Sequence, residues 1–309
     1  MIKAFFLSLR PKQWTKNLLL FAGIIFARRW SEFDLIINVV VGFLVFCALS
    51  GVVYITNDIL DVEKDREHPK KRKRPIASGA ISPSAAGVGA VVLLISSLIV
   101  AWLITPTFFV CSAIYVALVT AYSFQLKHLV LLDVMVLAMG FVVRALAGIE
   151  ALHVERLADD PVKITPFFIL TTLFLSLFLA IAKRRNELVV LGEGAAAHRA
   201  VLGDYSLEFC DVLLTVATTG VIFSYAAWAT VGDLARVGGG GSYTMVFTMP
   251  FVLYGIFRYL WLVFHRDEGG APEILLLTDR PLQTTVVLWI VTVFIILSLG
   301  QQAVAGTAP

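Results

Sequence analysis

Between Asn57 and Asp65 the chain reads NDILDVEKD, an amide and three carboxylates (Asn57, Asp58, Asp61, Asp65) spaced by one, three and four residues. On a helix, at ~100° per residue, the four fall within an arc of ~100°, with Asp58 and Asp65 only ~20° apart and Glu63 pointing away. A one-sided wall of oxygens suits a hard divalent cation. Mg²⁺ in particular is held by one or two carboxylates while it bridges substrate phosphates. Asn57, Asp58, Asp61 and Asp65 are therefore the expected metal ligands, with Asp58 and Asp61 as the catalytic pair. Five cations follow from Lys70 to Arg74. A polybasic loop beside a membrane can serve anionic lipid heads. Arg74 is singled out as a phosphate ligand because Pro75 follows it and restrains its backbone.

The elements that position these groups must lie in a membrane. Of 309 residues, 59% are hydrophobic and 15% charged, against about a quarter charged in soluble domains; the mean hydropathy is +0.86. The apolar residues come in blocks near the ~20 residues that cross ~30 Å of hydrocarbon. The blocks predict an all-α integral membrane protein with about nine spans: Leu18–Ala27 with its flanks, Leu35–Tyr54, Gly79–Ile104, Thr107–Phe124, Leu129–Glu150, Thr165–Ala182, Asp211–Val231, Tyr243–Phe264 and Leu282–Leu299. The first begins KAFFLSLRPKQW, which looks amphipathic and suits the interface. No signal-peptide cleavage pattern is seen.

Counting Lys and Arg between spans puts 18 on the side of the N-terminus and 5 on the other. The positive-inside rule then expects a cytoplasmic N-terminus, in a plasma (inner) membrane, with the acidic cluster facing the cytosol. Cys47, Cys111 and Cys210 are too few and too scattered for a disulfide framework or a zinc site. The five histidines suggest no ligand set, and GGGGS at Gly238–Ser242 reads as a flexible outer loop. No repeat breaks the chain, so one domain over residues 1–309 is expected. No nucleic-acid partner is expected, and a homo-oligomer is compatible with a bundle of this kind.

NDILDVEKD followed by RPIASG, then YSFQLK at Tyr122–Lys127 and LDVMVLAMGFVVRALAG at Leu132–Gly148, resembles the UbiA-type prenyltransferase superfamily. The resemblance implies an intramembrane enzyme with nine helices around a central cavity open to the cytoplasmic side. Relatives that prenylate aromatic acceptors carry a second acidic cluster after the sixth span. Here that segment reads LFLAIAKRRNELVVLGEG, with Lys183, Arg184 and Arg185 ahead of a single Glu187. Cations in place of anions suit a second phosphate-bearing group, for which Arg is well shaped; a Lys183–Glu187 pair at i, i+4 is the plainer account.

Together with LRPKQWTKNLLLF, HPKKRKRPIASG and LLLTDRPL, the segment resembles the decaprenyl-phosphate phosphoribosyltransferase branch. That implies Mg²⁺-dependent transfer from 5-phosphoribosyl 1-diphosphate to a polyprenyl phosphate, for an arabinan-type envelope glycan. An aromatic prenyltransferase using a polyprenyl diphosphate is the alternative. A transporter fits less well, because the polar residues gather at one membrane face rather than at the midplane.

Further substrate-binding candidates are Lys16, Tyr122, Lys127 and Arg144, beside Lys183, Arg184 and Glu187. Tyr122 and Lys127 lie ~140° apart on an ideal helix and can share a pocket only if the span ends near Phe124. Tyr122 suits an interfacial belt equally well. Lys16 either snorkels to lipid heads or reaches donor phosphate. Arg144, a lone cation deep in a span, either lines the cavity or bonds carbonyls or Glu150. Asp279 is expected to cap the last helix, which Pro281 opens.

Overall fold

The computed structural model describes residues 2–69, 71–153, 165–194, 199–234 and 243–305. Lys70, Arg156, Lys163, His198, Arg236 and the Gly238–Ser242 loop lie outside the described residues. Among the described residues there is no strand. The α-helices are α1 (Ile2–Ser8), α2 (Phe21–Phe26), α3 (Phe33–Leu60), α4 (Val62–Glu67), α5 (Pro83–Ile104), α6 (Pro106–Phe124), α7 (Leu132–Glu150), α8 (Pro166–Leu191), α9 (Leu207–Leu234), α10 (Met249–His265), α11 (Pro272–Thr278) and α12 (Arg280–Ala305). Eight of these, α3, α5 to α10 and α12, contain stretches long and apolar enough to cross a membrane. The protein is an all-α integral membrane protein.

The expected first span is built differently. Pro11–Leu20 forms a 3-10 helix that continues into α2. It is not among the eight: Pro11–Leu20 carries Lys12, Gln13, Thr15, Lys16 and Asn17, and the apolar run from Leu18 to Ala27 is about half the ~20 residues a span needs.

Starts and stops follow local chemistry. Ser82 and Thr105 each precede a proline at the first helical position, and their hydroxyls accept from the backbone N–H of Ala85 (3.2 Å) and Phe108 (3.0 Å). α8 runs nine residues past the apolar block, through KRRNELVVL, and stops before Gly192, whose φ of 51° suits glycine.

The chain divides into two compact units, Met1–Gln125 with Gly140–Val162, and Leu126–Met139 with Lys163–Pro309. The boundary falls within α7. In the first unit α3 packs on α5 and α6, and its buried Val45, Phe46 and Leu49 meet Phe108 and Tyr115. There the 3-10 helix and α2 also cross α7, so closely that a Cβ on Gly23 would sit 2.7 Å from the Gly148 carbonyl oxygen. In the second unit α8 packs on α9, and α10 on α12, around Phe178, Leu214, Tyr259 and Leu262.

Candidate active site

The acidic cluster lies in the first unit, but not on one continuous helix. α3 ends at Leu60, and Asp61 sits at a break (φ −97°, ψ 12°) before α4. Helical bonds still bridge the break, from Asp61 N–H to the Asn57 carbonyl (2.9 Å) and from Asp65 N–H to the Asp61 carbonyl (2.8 Å). The expected wall of four resolves into side chains with different partners. Asp58 and Asp65 are buried, their side chains 3% and 2% exposed. Asn57 Nδ2 donates to Ser123 Oγ (3.0 Å). The Asp61 carboxylate pairs with no side chain among the described residues. Glu63 points away to Arg66 (2.8 Å), as the spacing requires.

The loop after α4 folds back because its apolar part is buried. Ile76 and Ile81 enter a core with Leu9, Val52 and Ile55, and Gly79 takes a φ of 78° at the turn. This anchors Arg74 over the carboxylates. One nitrogen, Arg74 Nη1, lies 3.0 Å from Asp58 Oδ1 and 2.5 Å from Asp65 Oδ2. Arg10 Nη2 adds a second pairing to Asp58 Oδ1 at 2.5 Å, its guanidinium resting 4.6 Å from the centre of the Tyr54 ring. Lys71 Nζ stands 3.8 Å from Asp65 Oδ1. Arg72 and Lys73, the next two cations of this loop, are exposed.

Among the described residues no three His, Cys, Asp or Glu side chains converge as a ready metal cage. The donor chemistry nonetheless fits Mg²⁺. Two buried carboxylates face each other across a single cationic nitrogen, and Mg²⁺ takes one or two carboxylates and completes its shell with water and phosphate.

Lys16 and Tyr122 are half-buried. Arg144 is buried and bonds neutral groups: Nε to Asn17 Oδ1 (2.8 Å), Nη2 to Tyr115 OH (2.7 Å) and Nη1 to the Gly140 carbonyl (3.0 Å). Glu150 is not its partner; that carboxylate pairs with His153 (3.0 Å).

In the second unit, Lys127 is half-buried on a 3-10 turn, Leu126–His128. α6, in the first unit, ends at Phe124. The basic triplet splits three ways. Lys183 is exposed. Arg184 is 1% exposed and joins Asp133 Oδ2 (Nε, 3.0 Å) to Glu187, so the pair on this helix is Arg184–Glu187 at i, i+3 rather than Lys183–Glu187. Arg185 pairs with Asp211 (2.7 Å) and lies over the Phe264 ring.

Asp133, fully buried, is the hub. Tyr205 OH donates to its Oδ1 (2.7 Å), and Arg199 Nη2 stands 3.4 Å from its Oδ2 and from the Lys127 carbonyl. Burial, then the bond to Asp133, raises the Tyr205 pKa and keeps the phenol a donor. Arg10, Arg199, Tyr205 and Tyr115 were not expected at these sites; each pairs across 29 or more residues of sequence, beyond any local spacing. Asp279 caps α12 as expected, accepting from Leu282 N–H (2.9 Å), and also holds Arg258 Nη2 (2.7 Å).

The family model for the UbiA prenyltransferase family matches residues 18–278. The chain is 35% identical over 299 residues to decaprenyl-phosphate phosphoribosyltransferase of Mycobacterium tuberculosis, covering 95% of this chain and 94% of the relative. It is 36% identical over 295 residues to the enzyme of that name from Corynebacterium glutamicum, covering 94% and 84%. A UbiA homolog from Archaeoglobus fulgidus, solved bound to GPP and Mg²⁺, shares the fold with a TM-score of 0.68 at 18% identity, covering 96% of this chain and 99% of that one. With the fold, the acidic signature and the match over residues 18–278 in agreement, this chain belongs to the UbiA prenyltransferase family.

Proposed function

We propose that the protein transfers the 5-phosphoribosyl group of 5-phosphoribosyl 1-diphosphate to a polyprenyl phosphate of decaprenyl type, releasing diphosphate, for an envelope glycan of arabinan type. The observation that carries this reading is identity of about a third along nearly the whole chain to relatives bearing that activity in their names. The charge pattern supports it. Where aromatic prenyltransferases of the family resemblance carry a second acidic cluster, this chain has Lys183, Arg184 and Arg185.

Asp58 and Asp65, with Asn57 and Asp61 beside them, would hold Mg²⁺. Bound there, Mg²⁺ supplies Lewis-acid stabilisation of the departing diphosphate. Arg74 and Lys16 bind the diphosphate oxygens and stabilise the charge that gathers on them as the bond from ribose C1 to oxygen breaks. An oxygen of the lipid phosphate forms the new bond to C1. That phosphate is already ionised at neutral pH, so no side chain has to remove a proton. Lys127, Lys183 and Arg184, the last oriented by Glu187, are the proposed ligands of the remaining phosphate groups. Tyr122 and Arg144 are assigned to substrate contacts in the first unit. Water must be kept from the oxocarbenium-like centre, which it would hydrolyse.

The lysine and arginine asymmetry supports a cytoplasmic N-terminus in the plasma membrane, where a soluble donor meets a lipid acceptor. The two units act as a single domain on this reading, in keeping with a family match that runs through both.

An aromatic prenyltransferase remains the second reading, favoured by the acidic signature of α3 and α4. Purified protein with Mg²⁺ separates the two. One reaction holds labelled phosphoribosyl diphosphate and a polyprenyl phosphate, the other a labelled polyprenyl diphosphate and 4-hydroxybenzoate. Label entering lipid in the first, and lost with EDTA, is the expected result. Product in the second alone overturns the proposal.

A further inference from the structure

Arg74 holds two carboxylates with a single nitrogen, at 3.0 Å from Asp58 and 2.5 Å from Asp65. A guanidinium carries five N–H donors over three nitrogens, and Arg74 Nε and Nη2 pair with nothing among the described residues. The acids are almost sealed while the arginine side chain is 28% exposed. Its backbone is fixed from both sides, by the bond from its N–H to the Lys71 carbonyl (2.9 Å) and by the one its own carbonyl accepts from Ser78 N–H (2.9 Å). The side chain can therefore turn while the loop stays in place.

The two buried carboxylates are already fully countered: Asp58 and Asp65 bring two negative charges, and Arg10, Lys71 and Arg74 pair with them as three positive ones. A divalent cation arriving alone would have to displace Arg74 and strand a cation beside its own charge. A divalent cation arriving with a diphosphate would not, because the phosphate oxygens can take the guanidinium that the carboxylates release, bidentately.

Resting on the metal and diphosphate assignments above, we infer that Arg74 is a stand-in for the metal, and that metal and diphosphate load as a coupled pair. The guanidinium passes from Asp58 and Asp65 to the phosphates as the cation takes its place. Arg10, which touches Asp58 alone and is held against Tyr54, stays where it is. Coupling of this kind is reciprocal: diphosphate tightens metal binding by the same factor as metal tightens diphosphate binding.

Equilibrium dialysis of the full chain in detergent, with Mn²⁺ and radiolabelled inorganic diphosphate each alone and then together, reads this without any turnover. Complexes of the two in solution distribute to both chambers, so only the excess on the protein side counts. For wild type, the affinity for Mn²⁺ should rise on the order of 5- to 150-fold when diphosphate is present, the usual range for coupled sites. Arg74→Gln should bind Mn²⁺ alone several-fold more tightly than wild type and lose most of the gain from diphosphate. Arg74→Lys, which keeps the charge, should bind Mn²⁺ alone as weakly as wild type. If wild type binds both ligands but shows no gain, or if the Gln variant binds Mn²⁺ alone no more tightly, the exchange is overturned and the metal assignment survives. If wild type retains neither ligand in any combination, both fall. The expected coupling in a protein inactive with phosphoribosyl diphosphate would uphold the exchange and overturn only the choice of donor.

Discussion

The three aspartates of the signature differ in what surrounds them, and their variants should differ accordingly. Asp61 pairs with no side chain among the described residues, so Asp61→Asn should abolish transfer while leaving stability within about 0.5 kcal/mol, as for substitutions that break no contact. Asp58→Ala removes Arg10's carboxylate partner and one of the two held by Arg74 and should lower stability as well, by about 1–3 kcal/mol. Turnover measured beside thermal unfolding distinguishes the two, and wild-type turnover by Asp61→Asn would remove it from the site. Asp279 offers a test by pH. Its bond from Arg258, foremost, holds its carboxyl below the usual range; burial opposes this and the cap to Leu282 supports it. Its contribution is then fully present above an ordinary aspartate pKa of ~3.9 and is lost as pH falls through the lowered value. The difference in thermal midpoint between wild type and Asp279→Asn should be constant from pH 7 to pH 5 and should close only in stronger acid. The residue types and their spacing made the acids legible in sequence. Their counter-ions were not, because Arg10 lies 48 residues from Asp58 and no local periodicity joins them.

At the scale of elements, apolar length placed the long helices to within a few residues at most ends, since hydrocarbon thickness leaves little choice. It failed where a helix outlasts its apolar block, as α8 does to Leu191, and where the backbone changes form, as at Pro11–Leu20. The break at Asp61 was also hidden, because helical bonds continue across it and the sequence there contains neither glycine nor proline. The 3-10 helix is held by backbone contact. A Cβ on Gly148 would overlap the Leu20 carbonyl. Gly148→Ala should therefore destabilise the first unit by about 1–3 kcal/mol, the usual cost of overpacking, whereas the gain in helix propensity is only about 1 kcal/mol. A lower unfolding temperature for the alanine variant is the expected outcome; a higher one would mean that the crossing yields easily.

For the whole molecule, the length of α3 sets a height. Its 28 residues extend ~42 Å, against ~30 Å of hydrocarbon. The apolar stretch from Leu35 to Tyr54 fills that thickness, and Asn57 and Asp58 come about one turn later. The helix thus works as a ruler, holding the carboxylates just clear of the acyl chains. A thicker bilayer would draw acyl chains up toward the exposed parts of Arg10 and Arg74 and penalise their charge. Mismatch costs fractions of a kcal/mol per Å, and only the share borne by charge developing in the transition state slows the reaction, so ~4 Å of added thickness, roughly 1 kcal/mol, sets an upper bound of about fivefold on the loss. In vesicles of stepwise longer acyl chains, turnover should hold level and then fall once the hydrocarbon overtops the ruler; a rate indifferent to chain length would show that the site is shielded from lipid. Membrane thickness would then act as a control on this enzyme, one that needs no effector.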